Sequence, residues 1–181
     1  MRYFILFLFL LFSRYESIAQ KHRSPVFNSY NSIGFIAGKS PVAFTVQTIN
    51  GFSFNKWFLG AGFGIDDYFI KTLPLFIDVK KAFDFKKCHL FLYADVGSHF
   101  IAKDRKQDFE FYRINTEGKL YIDAGIGAKI KITPKSHLFF SLGNTLKNIA
   151  KTQTSEDVGF PYKDETAYRL SRISLRLGCQ F

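Results

Sequence analysis

The chain has 181 residues, which is enough for one domain and tight for two. Although 47% of the residues are apolar, no run beyond the N-terminus approaches the roughly 20 residues of a membrane-spanning helix, so a helical membrane protein is excluded. Two cysteines exclude a disulfide-stapled scaffold and a cysteine-rich zinc module, and the net charge of +10 raises the question of a nucleic-acid partner.

The first twenty residues predict a secretory signal peptide. Arg2 supplies a short positive region, an unbroken apolar run follows at 4–12, and Ala19 is the small residue that precedes the expected cleavage before Gln20. An exported basic protein is not expected to meet nucleic acid, so no nucleic-acid partner is predicted.

From residue 31 onward, apolar side chains alternate with polar residues or glycine, which is the period of a β-strand with two unlike faces. Between Leu120 and Ile130 every even position is apolar and every odd position is polar or glycine, and 173–181 repeats the pattern. The alternation predicts eight strands, at 31–38, 42–53, 57–66, 74–83, 89–99, 119–130, 137–147 and 167–180.

The predicted connections are of two lengths. Short turns are expected at 55–56, 84–88 and 131–136, and longer charged loops at 67–73, 100–118 and 148–166. Short turns at one rim and long loops at the other are typical of an up-and-down barrel, and eight strands close such a barrel without a free edge. The predicted fold class is therefore all-β, an eight-stranded antiparallel up-and-down transmembrane β-barrel, if the apolar face meets lipid.

Two kinds of barrel fit the alternation, and they differ in the direction of the apolar face. In a soluble lipocalin-like carrier that face surrounds an apolar ligand, whereas in a transmembrane barrel it faces lipid and the polar face fills the lumen. Eight glycines on the polar face favour a narrow lumen over a solvated wall. Aromatic residues also collect beside the short turns, as in an interfacial girdle: Phe52, Phe54, Trp57, Phe83, Phe85 and Phe181.

The transmembrane interpretation is therefore favoured, and a soluble periplasmic carrier of an apolar ligand remains the alternative. The orientation of four apolar side chains distinguishes the two: Ile122, Ile126, Leu175 and Leu177.

The final segment ISLRLGCQF and the hairpin TINGFSFNKWFLGAGFGIDDY resemble the small, eight-stranded outer-membrane β-barrels of Gram-negative envelopes, the porin-like outer-membrane β-barrel domain proteins. The resemblance covers about 31–181. It implies a location in the cell outer membrane, contact with outer-membrane lipid, and recognition of Phe181 by the barrel-assembly machinery. The expected division of the chain is a signal peptide at 1–19, a periplasmic N-terminal segment at 20–30 and an outer-membrane barrel at 31–181.

The sequence contains no Gly-rich phosphate loop, no G-x-S-x-G and no H-E-x-x-H motif. Ser98 and His99 are neighbours on a predicted strand, so their side chains should point to opposite faces and cannot easily act as nucleophile and base. Cys88 and Cys179 fall three strands apart, which is too far for a disulfide. We expect no enzyme activity, no cofactor and no metal site.

Parity directs charged side chains into the predicted lumen: Asp78, Lys80, Asp95, Asp123, Lys129, Arg172 and Arg176. Because burying unpaired charge is costly, these residues predict an ion-pair network that plugs the lumen. In this network Arg172 and Arg176 are expected to reach the three aspartates, with help from Tyr93 and Tyr121. A hydrated lumen with loosely paired charges remains the alternative.

The expected function is a structural, adhesive or interaction role through the long loops. Loops 100–118 and 148–166 are the predicted contact surfaces for an extracellular partner. Loop 100–118 carries Phe100, Phe109, Phe111 and Tyr112, which would otherwise extend the flanking strands.

Overall fold

The computed structural model describes residues 24–38, 42–68, 70–85, 89–102, 112–155 and 162–181. The predicted signal peptide at 1–19 lies outside these residues, as does Cys88. The described residues form eight strands: β1 (Val26–Ala37), β2 (Ala43–Phe54), β3 (Trp57–Tyr68), β4 (Ile70–Asp84), β5 (His89–Ile101), β6 (Tyr112–Lys131), β7 (His137–Ser155) and β8 (Tyr162–Gln180).

The eight strands form one closed antiparallel barrel in chain order. β8 completes the circle by pairing with β1, from Tyr30 opposite Gln180 to Ala37 opposite Ile173. Beyond the last strand residue, the backbones of Ser29 and Phe181 exchange two hydrogen bonds of 3.0 Å. The predicted all-β, eight-stranded antiparallel up-and-down barrel is confirmed. Within the described ranges, no helix is long and apolar enough to cross a membrane.

The apolar face of the strands points outward. Ile126 is 58% exposed, Leu175 42% and Leu177 48%, and Ile122 lies on the same face of β6. The six predicted girdle aromatics are also exposed on this outer surface. A soluble carrier needs its apolar face inside the barrel, so the structure does not support that alternative. An apolar outer wall around a polar interior is the arrangement of a transmembrane barrel.

The structure has two rims. The short-turn rim carries the turn at 55–56 and the turn at 132–136, and the long-loop rim carries the connections that follow Ile101 and Ser155. At the short-turn rim, β2 and β3 form the predicted tight hairpin, in which Phe54 pairs with Trp57. Asn55 has a φ of 55°, a backbone conformation that asparagine tolerates better than most residues.

Two predicted boundaries are wrong near the ends of the early strands. β1 begins at Val26 rather than at 31, because residues 26–30 pair with 49–53 of β2. Residues 26–30 of the expected N-terminal segment are therefore strand. The predicted long loop at 67–73 is also wrong, because β3 and β4 continue to pair as far as Tyr68 opposite Ile70.

The last three strands are much longer than predicted. β6, β7 and β8 have 20, 19 and 19 residues, whereas the other strands have 12 to 15. Pairing of β6 with β7 reaches Tyr112 opposite Ser155. Residues 100–101 and 112–118 of the first predicted loop, and 148–155 and 162–166 of the second, are therefore strand. Phe100 and Tyr112 belong to β5 and β6, while Phe109 and Phe111 lie outside the described residues.

The strands are staggered around the barrel. Following the paired residues once around from Ala82 leads back to β4 at Thr72, which is ten residues along the same strand. This stagger is the shear that accompanies strand tilt in a closed barrel. Residues at equal distances from their strand ends therefore lie at different heights in the lumen.

Candidate functional site: the barrel lumen

The inward faces of the strands fill the lumen with large aromatic side chains. A cluster of eight buried residues runs from the short-turn half to the centre: Tyr30, Ile49, Phe58, Phe76, Phe91, Tyr93, Tyr121 and Phe139. Tyr30 packs edge-to-face against Phe58 and Phe139, with ring centroids 4.8 and 5.5 Å away. The polar face of the strands is therefore not uniformly polar, and its aromatic members form the core of the barrel.

Glycines on the same face make room for these rings. A Cβ on Gly178 would lie 2.6 Å from the ring of Phe139, and a Cβ on Gly62 would lie 2.5 Å from the ring of Phe76. Such distances are far below van der Waals contact, so any side chain there would displace an aromatic ring. The glycines expected for a narrow lumen thus lie beside its largest side chains.

Three aspartates lie side by side in the lumen and are called the aspartate row below. Asp78, Asp95 and Asp123 are cross-strand neighbours on β4, β5 and β6, and each is fully buried. Like charges directly opposite one another are destabilising, so this row needs nearby cations and hydrogen-bond donors.

Asp123 is the best-partnered of the three. Arg176 forms an ion pair with it, Thr145 Oγ1 donates a 2.6 Å hydrogen bond, and the Tyr93 hydroxyl donates one of 2.9 Å. Arg176 also lies 3.9 Å from a carboxylate oxygen of Asp95 and 5.5 Å from the Tyr93 ring. The Arg176 guanidinium thus reaches across the lumen from β8 and contacts carboxylates on both β5 and β6.

Asp78 is held by a second cation from its own strand. Lys80 forms an ion pair with Asp78, and its ammonium lies 4.8 Å from the ring centre of Tyr30 and 5.3 Å from that of Phe58. Cations stacked on aromatic faces gain additional electrostatic stabilisation when they are removed from water. Lys80 therefore contacts both the buried aromatic cluster and the aspartate row.

Two of the seven predicted lumen residues lie away from the aspartate row. Arg172 is buried nearer the long-loop rim, where its side chain lies against Gly38. Lys129 lies at the opposite end, where its ammonium donates hydrogen bonds to Tyr30 and Gln180. Arg172 was expected to reach the three aspartates, but the stagger of the strands places it closer to the long-loop rim. Lys129 was expected to point into the lumen, and it does so at the short-turn end.

One further buried ion pair was not predicted. Lys147 pairs with Asp66 across the lumen and donates a 2.9 Å hydrogen bond to Thr72, which donates a 2.7 Å hydrogen bond back to Asp66. All three side chains are at most 1% exposed. The signal was present in the charge and parity of Asp66 and Lys147, but 67–73 and 148–166 were interpreted as loops, which placed both residues at strand ends.

The short-turn mouth contains an open vestibule of about 500 Å³. Its wall includes Lys56, Asp84, His89 and His137 of the rim, and deeper in it meets Lys80, Lys129 and aromatic rings. Asp84 is already paired, because it lies 3.5 Å from the Lys56 ammonium and 2.9 Å from His89 Nδ1.

The remaining candidates from the sequence lie on the wall of the barrel. Ser98 is exposed on the outer face and His99 is fully buried on the inner face, so the predicted opposite orientations are confirmed. Cys179 is a free, half-buried thiol on the outer face of β8. Phe181 is exposed beside β1 at the short-turn rim.

Comparison with known proteins identifies the fold. No protein-family model matches the sequence, and no curated protein matches it. The solid-state NMR structure of the outer membrane protein AlkL in DMPC lipid bilayers is similar with a TM-score of 0.56 at 13% identity, covering 93% of this chain and 94% of that chain. The crystal structure of a major outer membrane protein from Thermus thermophilus is similar with a TM-score of 0.53 at 14% identity, covering 88% and 99%. The expected resemblance to small outer-membrane β-barrels is thus confirmed at the level of the fold.

Proposed function

We propose that this protein is a small integral β-barrel of the cell outer membrane whose lumen is plugged and whose long-loop end carries a structural, adhesive or interaction role. The observation that carries the proposal is the filling of the lumen. The buried aromatic cluster and the ion pairs of Lys80, Arg176 and Lys147 involve side chains that are no more than 5% exposed.

The physical argument for a plug is one of width and charge. An eight-stranded barrel is only wide enough for its own side chains to fill the interior. Here Arg176 and Lys147 pair with carboxylates across the lumen, and opening a water path would require breaking those pairs. Removing one partner of a buried pair typically costs about 3–5 kcal/mol. A plugged barrel of this kind is better suited to holding a surface in place than to passing solutes.

The long strands support an interaction role at the other end. The exposed apolar side chains of the outer wall form an apolar belt around the barrel. β6, β7 and β8 continue beyond this belt, with pairs such as Thr116 opposite Lys151 and Thr152 opposite Glu165. This paired, polar extension would carry the long-loop end of the barrel beyond the membrane. An extracellular partner bound there is part of the proposal, and no catalytic role is proposed.

Two further partners follow from the outer surface. The apolar belt would contact outer-membrane lipid, and the exposed aromatic ring of Phe181 would be recognised by the barrel-assembly machinery. Phe181 is suited to that role because its ring stays free on the outside, while its backbone is already paired with Ser29.

Cell fractionation tests the location. The protein should be extracted from envelopes only by detergent, and its migration in gels should shift between unheated and boiled samples. Release into the soluble periplasmic fraction by osmotic shock would contradict the proposal. Replacing 103–111 by a Gly-Ser linker should abolish partner capture by whole cells and leave the heat-dependent gel shift unchanged.

A pair of substitutions tests the lipid-facing belt. Ile126→Lys places a charge within the belt and should lower the free energy of unfolding by about 2–4 kcal/mol, whereas Ile130→Lys beside the short-turn rim should cost about 0–1 kcal/mol. Both side chains are exposed, at 58% and 67%. Losses below about 0.5 kcal/mol for both, as on a water-facing surface, would contradict a membrane-embedded belt.

A further inference from the structure

The vestibule at the short-turn mouth holds a cation whose protein partners are neutral. Lys129 Nζ donates hydrogen bonds to the Tyr30 hydroxyl and to Gln180 Oε1, the latter at 2.9 Å, and its other contacts are the faces of aromatic rings. In the part of the chain that the structure describes, no carboxylate forms an ion pair with Lys129. A partly buried ammonium without a counter-charge is costly, so the site favours an added anion.

The nearby carboxylates are already engaged elsewhere. Asp78 pairs with Lys80, and Asp84 contacts Lys56 and His89 at the rim. Among the described residues, the vestibule wall therefore contains three lysines and one carboxylate, that of Asp84. Positive charge that lines a concave, partly desolvated mouth concentrates anions from the solvent.

A second polar side chain lines the same space. His137 of β7 belongs to the vestibule wall beside Lys129. A neutral imidazole can donate a hydrogen bond from one ring nitrogen, so His137 adds to the polar lining of the vestibule.

The shape and lining indicate more than an inorganic ion. The vestibule measures about 500 Å³, which falls in the size range of small-molecule sites. Apart from the lysines, its wall includes Ser53, Asn55, Trp57 and Ala82. The space between these residues and Lys129 can hold an organic body whose charged end the ammonium binds.

We propose that the short-turn vestibule is a binding site for a small organic oxyanion, a phosphate ester or carboxylate with an apolar body, whose charged group is held by the Lys129 ammonium. The organic body occupies the rest of the vestibule, between Lys129 and the short-turn rim. The ligand enters from the aqueous phase on the short-turn side, and it does not pass the aspartate row above.

Titration of the refolded barrel in zwitterionic nanodiscs with phenyl phosphate tests the site. Saturable NMR shifts are expected at Lys129, His137 and Gln180. Inorganic phosphate, which lacks the phenyl ring, and phenol, which lacks the phosphate, should both bind more weakly than phenyl phosphate. Lys129→Met should weaken phenyl phosphate binding at least tenfold, and Lys129→Arg should retain it within a few-fold. The matched control Lys119→Met changes an exposed lysine at the other end of β6 and should leave binding unchanged.

Two results would overturn the proposal. The first is an absence of saturable shifts in the wild-type protein, and the second is equal binding by wild type and Lys129→Met. A parallel series in nanodiscs that contain phosphatidylglycerol identifies the source of the anion. Loss of phenyl phosphate binding there means that lipid headgroups occupy the site, and unchanged binding means that a soluble ligand does; either result retains the oxyanion site.

Discussion

The two ends of the lumen each contain an inward-pointing lysine, and the two lysines have opposite surroundings. Lys147, near the long-loop rim, is fully buried and is held by Asp66 and Thr72. Lys129, near the short-turn rim, contacts neutral oxygens and aromatic rings among the residues that the structure describes, and it borders open space. The same residue type on the same kind of strand face is thus part of a seal at one end and of an open mouth at the other.

This difference shows that pairing, and not charge alone, decides what a lumen residue does. A lysine with a buried carboxylate closes the barrel, because both groups lose their water only when they stay together. A lysine without a buried carboxylate partner still favours a nearby negative charge, which an ion from the solvent or a ligand can supply. The predictions below exploit this difference, and each uses urea unfolding of the refolded protein, monitored by the fluorescence of Trp57, the single tryptophan.

The largest effect is expected from opening the sealed end. Lys147→Met leaves the Asp66 carboxylate buried without its ammonium partner, so the free energy of unfolding should fall by about 3–5 kcal/mol. Lys119→Met, which removes only an exposed ammonium 3.7 Å from Glu165, should cost at most about 1 kcal/mol. Equal losses for the two variants would mean that the Lys147 pair does not seal the lumen.

A similar loss is expected at the aspartate row. Asp123→Asn removes the charge that Arg176 faces and leaves the guanidinium with Asp95 alone at 3.9 Å, so we expect a loss of about 3 kcal/mol. The matched variant Asp67→Asn changes an exposed aspartate beside Asp66 and should stay within about 0.5 kcal/mol of wild type. A near-neutral Asp123→Asn would indicate a hydrated network with loose pairs.

A smaller loss is expected when only one hydrogen bond to this row is removed. Tyr93→Phe deletes the hydroxyl that donates a 2.9 Å hydrogen bond to Asp123, while the ring and its packing remain. Hydrogen bonds to charged groups contribute about 1.5–3 kcal/mol, so the expected loss lies in that range. A double-mutant cycle with Asp123→Asn should show strong coupling, and additive losses would argue that the bond is not formed.

The smallest effect on stability is expected at the open end. Lys129→Met leaves only neutral oxygens behind, and these border the vestibule, so the loss should stay below about 1 kcal/mol. The difference between the losses in the free energy of unfolding for Lys147→Met and Lys129→Met therefore measures how differently the two ends of the lumen are sealed. A loss at Lys129 as large as that at Lys147 would show that the two ends are equally sealed.

The sequence was sufficient to predict the architecture where the two faces of a strand meet different surroundings. Ile126 and Leu177 alternate with glycine and charge because lipid lies on one side and the lumen on the other, so parity alone placed them correctly. The regular alternation of apolar with polar residues is lost in 148–155 and 162–166, which are mostly polar, and these segments were interpreted as loop. That error concealed the Asp66–Lys147 pair.

The site was less predictable than the fold for a geometric reason. Parity gives the direction of a side chain, but the ten-residue stagger decides its height, and the stagger depends on the register of all eight pairings. Arg172 was expected to reach the three aspartates, and the stagger places it nearer the long-loop rim instead. The buried aromatic cluster was also not predicted, because Phe58, Phe91 and Phe139 lie on the face of their strands that was interpreted as polar.

Planar-bilayer recording of the purified wild-type protein tests the central claim, a plugged lumen, most directly. The buried ion pairs and aromatic rings predict that insertion of the barrel produces no large, stable ohmic conductance. A steady open-channel conductance of that kind in the wild-type protein would contradict the account.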